Sequence, residues 1–367
     1  MASPPPPEHV SFRWPAEWEP LEAVWVVPPH NPETWPGCLD KAQAEHAAWC
    51  KAMAEVVRVR TTDELGIATN DSWIRDFGPL FVWRDEAGSP PLREGLGQGE
   101  GAEHSSDLLR QAAADGELRH PHPSPLPQGR GGQTTMPQLV IQDFRFNGWG
   151  DKYETRALDD AVSGKLAEAL GLPIVKHDQV LEGGALETDG RGTLLTTTDC
   201  LLNPSRNGPT DRDTMEQLLN DALGITRTIW LSAQLPGDDT DGHIDNAARF
   251  VSPDSVVVHP AIDTTPLRDA GLNVIELPAV DPIFYDYPGD RFGPAQRMQL
   301  PCSYANFLIA NGRIFVPTFG QPADDRALRL LDDAMPNHTP VPIRSNHLVV
   351  GQGALHCLSM QQPAASS

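Results

Sequence analysis

Short apolar runs, separated by glycine, proline and polar turn residues, dominate the hydrophobic pattern of the chain. Runs of about four to eight residues that are rich in valine, isoleucine and leucine are typical of buried strands. We therefore predict strands at 23–27, 80–83, 138–144, 193–197, 228–231, 255–259 and 273–277. Residues 307–310 and 313–317 flank Asn311-Gly312, a pair that predicts a hairpin between two further strands.

Apolar residues recur at helical spacing in other segments. The spacing predicts helices at 39–59, 155–170, 211–223 and 324–334. Gly171 and Gly224 directly follow two of them, as expected at helix ends. Strands and helices together indicate an α/β protein, although they do not alternate as regularly as in a doubly wound sheet. A nucleotide site has no support, because neither G-x-G-x-x-G after the first strand nor G-x-x-x-x-G-K-[ST] occurs.

The segment 86–136 differs from the rest of the chain. It is rich in glycine, proline and serine, has few apolar residues and shows no sustained period. We predict a mostly disordered insertion between two strands, without a catalytic role. Segments 1–8 and 363–367 are expected to be flexible termini, which leaves a single domain at 9–362.

The formal net charge of −22 narrows the class of partners. A strongly acidic chain is a poor ligand for nucleic acid, because phosphate binding needs a basic surface. The same charge attracts a cationic substrate, but it is equally well explained by solubility. Charge therefore excludes one class of partner and leaves the role of the acidic surface open.

Cysteine usage and hydropathy limit the remaining classes. The five cysteines are widely spaced and form no C-x-x-C pair, so we predict neither a structural zinc site nor a disulfide framework. No window reaches about 18 consecutive apolar residues, which argues against a membrane span. Because the N-terminus has neither the basic nor the apolar region of a secretory signal, we expect a cytoplasmic protein without a membrane partner.

Two acidic motifs lie beside glycines. The motif at 70–79, NDSWIRDFGP, precedes the strand predicted at 80–83, at a sheet edge where sites form. Its alternative explanation is a turn stabilised by an ion pair of Arg75 with Asp71 or Asp76. The second motif, Glu182-Gly183-Gly184, allows close backbone approach to a carboxylate, but it is also compatible with an ordinary turn.

His243 and Asp245 lie two residues apart in the motif at 237–246, GDDTDGHIDN. On a strand, both side chains would point to one face. A histidine beside carboxylates can act as an acid or a base near neutral pH. An aspartate-rich loop can also bind calcium, but this one lacks the alternating ligands and terminal glutamate of an EF-hand, so we predict no metal.

Two motifs near the end of the chain contain cysteine. Asn306 lies in the motif at 301–307, PCSYANF, which leads into a predicted strand. Cys357 follows a glycine-rich turn in the motif at 351–357, GQGALHC. A lone cysteine is usually a buried structural residue. Its setting and the distant His243 make a nucleophile an equally good interpretation.

Taken together, the five motifs resemble the agmatine deiminase family, which includes the bacterial peptidylarginine deiminases of the Porphyromonas type. Their order and rough spacing match from Trp18 to Leu358, except at 86–136. Supporting segments lie at 146–153, 203–207 and 360–362. The resemblance implies a pentein fold, a five-bladed α/β propeller of ββαβ modules around a central active-site channel.

The resemblance also implies roles for individual residues. Cys357 would be the nucleophile. His243 would be the general acid/base, and Glu182 the carboxylate that orients it. Asp76 and Asp245 would be the two carboxylates that grip a guanidinium. Trp73 would line the substrate slot, and Asn306 matches a site asparagine of the peptidylarginine branch. No metal or organic cofactor is implied.

These residue types suit attack on a guanidinium, a planar, resonance-stabilised cation and therefore a poor electrophile. Two carboxylates can hold its N–H groups and fix the position of its carbon. The bound cation and a charged His243 would both favour the thiolate of Cys357. Thiolate attack, loss of ammonia and hydrolysis of a covalent thiouronium would then release a ureido product.

The first functional hypothesis is hydrolysis of agmatine to N-carbamoylputrescine and ammonia, a step toward putrescine and polyamine biosynthesis. An alternative is a deiminase of arginine or peptidylarginine, for which Arg145 is a candidate partner of the substrate carboxylate. A non-catalytic pentein binding protein is less favoured, because it would not need all five catalytic residues. Amidino transfer to an amine stays open. We expect the protein to bind a small cationic guanidino substrate. A homodimer is a further hypothesis.

Three positions depart from the family pattern. Phe77 stands where threonine is usual, Gln352 where glycine is usual and Ala354 where asparagine is usual. All three border motifs that carry predicted catalytic residues. We therefore expect them to affect the choice of the substrate's tail more than the chemistry.

Overall fold

The computed structural model describes residues 11–85, 137–289 and 291–365. The insertion predicted at 86–136 and the N-terminal segment 1–8 lie outside these residues. The strands are β1 Ser11–Arg13, β2 Leu21–Val26, β3 Arg58–Thr61, β4 Leu80–Asp85, β5 Gln138–Arg145, β6 Ile174–Val180, β7 Glu187–Thr188, β8 Thr193–Thr197, β9 Arg227–Leu231, β10 Ala248–Ser252, β11 Ser255–Val258, β12 Asn273–Glu276, β13 Phe284–Tyr287, β14 Gln296–Gln299, β15 Leu308–Ala310, β16 Arg313–Thr318, β17 Thr339–Arg344 and β18 Ser359–Pro363.

Most helices are short, and the longer ones lie between strands of one sheet. The α-helices are α1 Leu39–Met53, α2 Ile74–Phe77, α3 Gly148–Asp151, α4 Ala157–Asp160, α5 Val162–Leu170, α6 Thr198–Leu201, α7 Pro204–Asn207, α8 Arg212–Leu223, α9 Thr265–Asp269 and α10 Pro322–Ala334. Single turns of 3-10 helix lie at Asp63–Leu65, Gly183–Ala185, Ile244–Asn246 and Leu348–Gly351.

The larger sheets share one pattern, an antiparallel pair followed by a parallel third strand. We name them blade 1 (β18-β2-β3), blade 2 (β4-β5-β6, with β1 at its edge), blade 3 (β7-β8-β9), blade 4 (β10-β11-β12) and blade 5 (β15-β16-β17). In each blade, helical residues connect the second strand to the parallel third strand, as parallel crossovers require. The hairpin of β13 and β14 lies between blades 4 and 5.

Blade 1 joins the two ends of the described chain. Strand β18 pairs antiparallel with β2, with Met360 opposite Trp25, and β2 pairs in parallel with β3. The last ladder position is Pro363, one residue beyond the domain boundary expected from the sequence. Ala364 adds a further bond, from its backbone N–H to the carbonyl of Pro20 at 2.9 Å. The ring of blades is therefore closed by backbone hydrogen bonds between distant segments.

Local sequence signals explain several element boundaries. The side chain of Asp211 accepts from the backbone N–H of Thr214 and caps α8, while Gly224 ends it in the left-handed region. Asn311 and Gly312 take positive φ angles of 42° and 83°, as a tight hairpin between β15 and β16 requires.

Two predicted helices are corrected by the structure. The helix predicted at 39–59 ends at Met53, and a turn leads into strand β3. The apolar spacing extends beyond the end of the helix because Val57, which lies in the turn, is also buried. The helix predicted at 155–170 consists of α4 and α5, which Ala161 separates.

Large aromatic side chains fill the core beneath the blades. Trp25, Trp35 and Trp49 have no exposed surface, and they belong to the main cluster of buried apolar residues. Side chains of this size each bury about 150–250 Å² and dominate core energetics. None of the helices in the described ranges is both long and apolar enough to span a lipid bilayer.

Candidate active site

The predicted site residues lie in the connections between successive blades. Each connection leads into a buried first strand, and the residues precede that strand by a few positions. In chain order they are Asp76 before β4, Glu182 before β7, His243 and Asp245 before β10, Asn306 before β15, and Cys357 before β18. Because the blades form a ring, equivalent connections from all five meet at its centre.

Cys357 is a buried thiol at this centre, only 5% exposed. The Asn306 side-chain amide donates to its Sγ over 3.0 Å, and Sγ lies 3.4 Å from Oδ2 of Asp245. Burial, together with the charges of Asp245 and Asp76, raises the pKa of Cys357 well above its usual value. The cysteine is therefore held as a thiol until a cation offsets the two carboxylates.

A glycine allows Cys357 to pack against an aromatic wall. A Cβ at Gly353 would lie 2.5 Å from a ring carbon of Trp73 and 3.0 Å from Cβ of Cys357. Any larger residue would separate these two side chains. The glycine-rich turn that precedes the cysteine thus has a steric purpose at the site.

Asp245 is held on one side only. Its Oδ2 lies 2.8 Å from Nδ1 of His356, whereas its buried Oδ1 has no hydrogen-bond partner among the described residues. Burial alone would raise the pKa of Asp245, but the hydrogen bond and the charge of His356 outweigh burial and lower it. One oxygen is thus anchored, and the other is left to accept from a ligand.

His356 connects Asp245 to a second buried carboxylate. Its Nε2 lies 2.5 Å from Oε1 of Glu17, so both ring nitrogens face carboxylate oxygens. His356 thus bridges two carboxylates. Burial would raise the pKa of Glu17, but Arg249 and His356 hold it well below its usual range.

Asp76 is held by neutral donors. The indole N–H of Trp149 donates to Oδ2 at 2.9 Å, and the backbone N–H of Gly184 donates to Oδ1 at 3.0 Å. Burial raises the pKa of Asp76 to about 6; the charge of His243 opposes this shift and that of Asp245 adds to it. Unlike Asp245, this carboxylate titrates close to neutral pH.

His243 lies between two carboxylates. Its Nε2 is 3.4 Å from Oε2 of Glu182, and its Nδ1 is 3.6 Å from Oδ1 of Asp76. Burial alone would lower the pKa of His243, but Asp76 together with hydrogen bonds to Cys200 and Glu182 holds it well above its usual value. The ring is therefore a charged proton donor at neutral pH.

His243 and Asp245 do not lie on a strand. Residues Ile244–Asn246 form a 3-10 turn that His243 precedes. The two side chains still reach one site. His243 faces the carboxylates of Glu182 and Asp76, and Asp245 faces the thiol of Cys357. Nδ1 of His243 is buried and has no hydrogen-bond partner within the described ranges.

The two glycines after Glu182 also have a steric reason. A Cβ at Gly184 would lie 2.5 Å from Nδ1 of His243 and 2.7 Å from Oδ1 of Asp76. Glu182 itself accepts from Nε of Arg206 at 3.0 Å, and Arg206 and His243 outweigh burial to lower its pKa to about 2. The motif therefore builds the environment of the histidine and is more than a turn.

The ion pair proposed within the first motif is wrong. Arg75 instead donates to the backbone carbonyl of His356 at 3.2 Å and to Gln361 at 2.5 Å. Asp71 pairs with Arg291 at 2.7 Å. Arg75 thus ties the first motif to the segment around the nucleophile.

A pocket opens beside Cys357 and Asp76, with about 350 Å³ of empty volume. Aromatic side chains form much of its wall, and polar side chains complete it; the lining residues are Trp73, Asp76, Trp149, Tyr153, Asp239, Thr240, Arg291, Phe292, Gly351, Gln352 and Cys357. The predicted lining residue Trp73 is among them, and the pocket suits a cation with an apolar chain.

Two clusters bring possible metal ligands together: Glu182, Cys200 and His243, and Glu17, Glu187 and His356. In each cluster an arginine already pairs with a glutamate, since Arg206 binds Glu182 and Arg249 binds both Glu17 and Glu187. The charge that would attract a metal ion is therefore used in buried ion pairs.

Comparison with known proteins matches this arrangement to one family. The family model of the Porphyromonas-type peptidyl-arginine deiminases matches residues 13–363. The agmatine deiminase of Pseudomonas syringae pv. syringae is 30% identical, with 98% of this chain and 97% of that protein covered. The chain belongs to the Porphyromonas-type peptidyl-arginine deiminase family.

Solved structures agree with this membership. The agmatine deiminase of Enterococcus faecalis superimposes with a TM-score of 0.75 at 25% identity, covering 97% of both chains. A C. jejuni agmatine deiminase gives a TM-score of 0.76 at 23% identity with the same coverage, which supports the fold. The predicted pentein propeller of five ββαβ blades is confirmed for this member of the peptidyl-arginine deiminase family.

Several residues that support the site were missed from the sequence of this family member. Trp149, His356 and Arg206 hold the predicted carboxylates, and Glu17 contacts His356, yet each lies far from its partner in the chain. In the sequence, Trp149 is marked by a glycine on each side. In the structure it has a positive φ of 55°. Such a backbone conformation in a bulky residue marks a position under functional constraint.

Proposed function

We propose that this protein is an agmatine deiminase, a hydrolase that converts the guanidinium of agmatine to N-carbamoylputrescine and ammonia. The observation that carries the proposal is the contact of Cys357 with Asp245 and of Asp76 with a charged His243, beside an aromatic pocket that Cys357 and Asp76 line. The relatives named agmatine deiminase, one of them 30% identical over nearly the whole chain, support the choice of substrate.

Substrate binding uses two carboxylates, of which Asp245 has a free oxygen. In this proposal, Oδ1 of Asp245 and the carboxylate of Asp76 accept N–H groups of the guanidinium and place its carbon beside Sγ of Cys357. Both aspartates are buried, so the hydrogen bonds form in a medium where charge–charge attraction is strong. The aromatic walls enclose the four-carbon chain of agmatine.

The substrate cation then activates the thiol. Asp245 and Asp76 raise the pKa of Cys357, so a guanidinium bound to them removes much of that effect. The Cys357 proton is released as the cation binds, and the amide of Asn306 donates to the sulfur. Charge balance is kept, because one proton leaves as one cation enters.

Attack of the thiolate on the guanidinium carbon forms a C–S bond and a tetrahedral adduct. The C–N bond to the terminal nitrogen breaks, and His243, charged and buried, donates the proton that turns the leaving group into ammonia. The product at this stage is a covalent thiouronium on Cys357. His243 is left neutral and able to accept a proton.

Hydrolysis completes the cycle. Neutral His243 takes a proton from a water that attacks the thiouronium carbon; the C–S bond then breaks, and the hydroxyl proton of the adduct passes to the departing sulfur, so Cys357 is a thiol again. The ureido product leaves, and His243 is again charged. Glu182 lies 3.4 Å from Nε2 of His243 and stabilises the charged ring.

Arginine is a second candidate substrate, because one cationic side chain lines the pocket. Arg291 pairs with Asp71 at 2.7 Å and stacks over Tyr153, and its buried Nε has no partner in the part of the chain described. That N–H is available to donate to a substrate carboxylate. Arg145, the candidate for this role from the sequence, has a 60% exposed side chain, pairs with Asp160 and is not among the residues that line the pocket.

The proposal retains a cytoplasmic location and a homodimer as hypotheses. Cell fractionation tests the first, and sedimentation of the purified protein tests the second. A single domain at 9–362 is also part of the proposal, since blade 1 joins segments from both ends of that range.

The decisive experiment supplies agmatine, arginine and a peptidylarginine separately and assays ammonia and the ureido product. We expect turnover with agmatine and loss of turnover in Cys357→Ala. Turnover that survives in Cys357→Ala would overturn the nucleophile, and turnover with arginine alone would overturn agmatine as the substrate. A covalent adduct on Cys357, trapped by acid quench and seen by mass spectrometry, tests the intermediate.

A further inference from the structure

Gln352 has a backbone conformation that glycine adopts more easily. It lies five residues before the nucleophile and takes φ 80° and ψ 15°, in the left-handed region. A side chain here costs energy, and a retained cost of this kind clusters at functional sites. The left-handed conformation therefore indicates that the glutamine side chain itself has a role.

One end of the side chain is fixed by a tyrosine. Nε2 of Gln352 lies 2.7 Å from the hydroxyl of Tyr287, and that hydroxyl donates to the carbonyl of Val350 at 2.5 Å. Because a tyrosine hydroxyl has only one proton, the amide of Gln352 must be the donor to it. The identity of the two amide atoms is thus set by the network.

The other end is left without a partner. Oε1 of Gln352 is buried and accepts no hydrogen bond from any described residue, although the residue is only 8% exposed. A buried acceptor without a partner is rare in folded proteins and costs energy until something donates to it. Gln352 also lines the pocket beside Cys357.

We propose that Gln352 is a specificity-determining residue whose Oε1 accepts an N–H from the tail nitrogen of the substrate. The inference rests on the proposed deiminase function. The guanidinium already has acceptors in Asp76 and in Oδ1 of Asp245, so a further acceptor serves another N–H group. The side chain extends to Tyr287. The ring centroid of Tyr287 lies 4.7 Å from that of the pocket residue Phe292.

This placement selects for one class of substrate. An acceptor oxygen stabilises an ammonium and is unfavourable beside a carboxylate. It therefore favours a guanidino compound with an amine tail over one with an acidic tail. A glycine at position 352 would leave the guanidinium contacts intact and remove this selection.

The test compares agmatine with butylguanidine, which keeps the guanidinium and the four-carbon chain but lacks the amine. Binding is measured by calorimetry in a Cys357→Ala background, with glutamine or glycine at position 352. We expect Gln352→Gly to lower the preference for agmatine about tenfold, equivalent to about 1.4 kcal/mol. Gln352→Glu, which keeps an acceptor oxygen, should retain the preference.

Asn311→Gly is the matched control, since Asn311 is also a non-glycine residue with positive φ but lies in the hairpin of blade 5. We expect this variant to leave the preference unchanged. Equal weakening of both ligands by Gln352→Gly would assign the residue a structural role and overturn the proposal. An unchanged preference, or no binding of either ligand, would overturn it as well.

Failure of the proposed function gives a different result. If the protein with Cys357 produces no ammonia from agmatine, the enzymatic proposal fails. The calorimetric preference and its loss in Gln352→Gly do not depend on turnover. The melting temperature of each variant is measured alongside, and we expect Gln352→Gly not to lower it, because glycine removes the left-handed strain.

Discussion

The two carboxylates proposed to hold the guanidinium have opposite electrostatic environments. Asp245 is backed by His356, and its pKa is lowered; Asp76 accepts from an indole and a backbone amide, and burial raises its pKa to about 6. Two residues with one apparent role are therefore ionised over different pH ranges. The difference indicates that the Asp245 side supplies a permanent charge, whereas the Asp76 side sets the acidic limit of activity.

The largest expected effect comes from removing either charge. Asp245→Asn and Asp76→Asn should each lower kcat/KM at pH 7.5 by roughly a hundredfold or more, since loss of one partner of a buried charge pair costs about 2–5 kcal/mol. At pH 5 the penalty of Asp76→Asn relative to the native protein should shrink about tenfold, because Asp76 is then mostly protonated. The penalty of Asp245→Asn should persist. Equal behaviour of the two variants at pH 5 would contradict the comparison.

The next effect isolates His356. His356→Asn places an amide N–H near the position of Nδ1 and can still donate to Asp245, whereas His356→Gln reaches toward Glu17 instead. We expect His356→Gln to lower kcat/KM about tenfold or more, the value of a charge-assisted hydrogen bond, and His356→Asn to lower it less. Steady-state kinetics from pH 5 to 9 measure both variants.

His356 acts through Asp245, so its loss should also change a pH profile. Without the hydrogen bond that lowers the pKa of Asp245, the acidic limb of kcat/KM should move to higher pH in His356→Gln. A merely structural role would reduce activity at every pH by the same factor. That second pattern, with an unmoved limb, would remove His356 from the site.

A smaller effect tests Asp76 in the native protein. Guanidinium binding needs the ionised carboxylate, and the raised pKa means that ionisation is lost as the pH falls through about 6, so kcat/KM should decline there. Trp149→Phe removes a donor that lowers this pKa, so the decline should begin at higher pH. A profile that is flat between pH 5 and 7 in the native protein would argue against the assignment.

The smallest effect is expected for the segment 86–136. Strands β4 and β5 are antiparallel neighbours, with Arg84 opposite Gln138, so residues 86–136 connect two adjacent strand ends. Replacing 86–136 with a short turn should leave kcat/KM within about twofold, because loop length alone changes stability little. Substantial loss of activity without a lower melting temperature would give the insertion a role at the site.

Much of the fold and most of the site could be predicted from the sequence. Strands such as β8 and β9, and the helix between Asp211 and Gly224, have strong local signals. The motifs around Asp76, Glu182 and Cys357 each precede a buried strand, so their convergence follows once five equivalent blades are assumed. The resemblance to a known family supplied that assumption.

What could not be predicted depends on partners that are distant in the chain. His356 and Glu17 are 339 residues apart, and Trp149 and Asp76 are 73 residues apart, so no local pattern links them. Strands β13 and β14 are half-exposed and lack a clear apolar alternation. A neighbouring partner was the alternative explanation for Arg75 because local ion pairs are common, whereas its partners include Glu17 and Gln361, which are distant in the chain.

Because β18 pairs with β2, loss of catalytic activity should indicate that the ring of blades has opened between these two strands. Cys357 lies two residues before β18, whose other supports include the Arg75 bond to Gln361. If β18 frays from β2 under mild denaturant, the thiol moves away from Asp245 while the other four blades retain their hydrogen bonds. Inactivation should therefore precede the bulk spectroscopic transition, and amide exchange in β18 should follow the loss of activity more closely than exchange in the blades opposite.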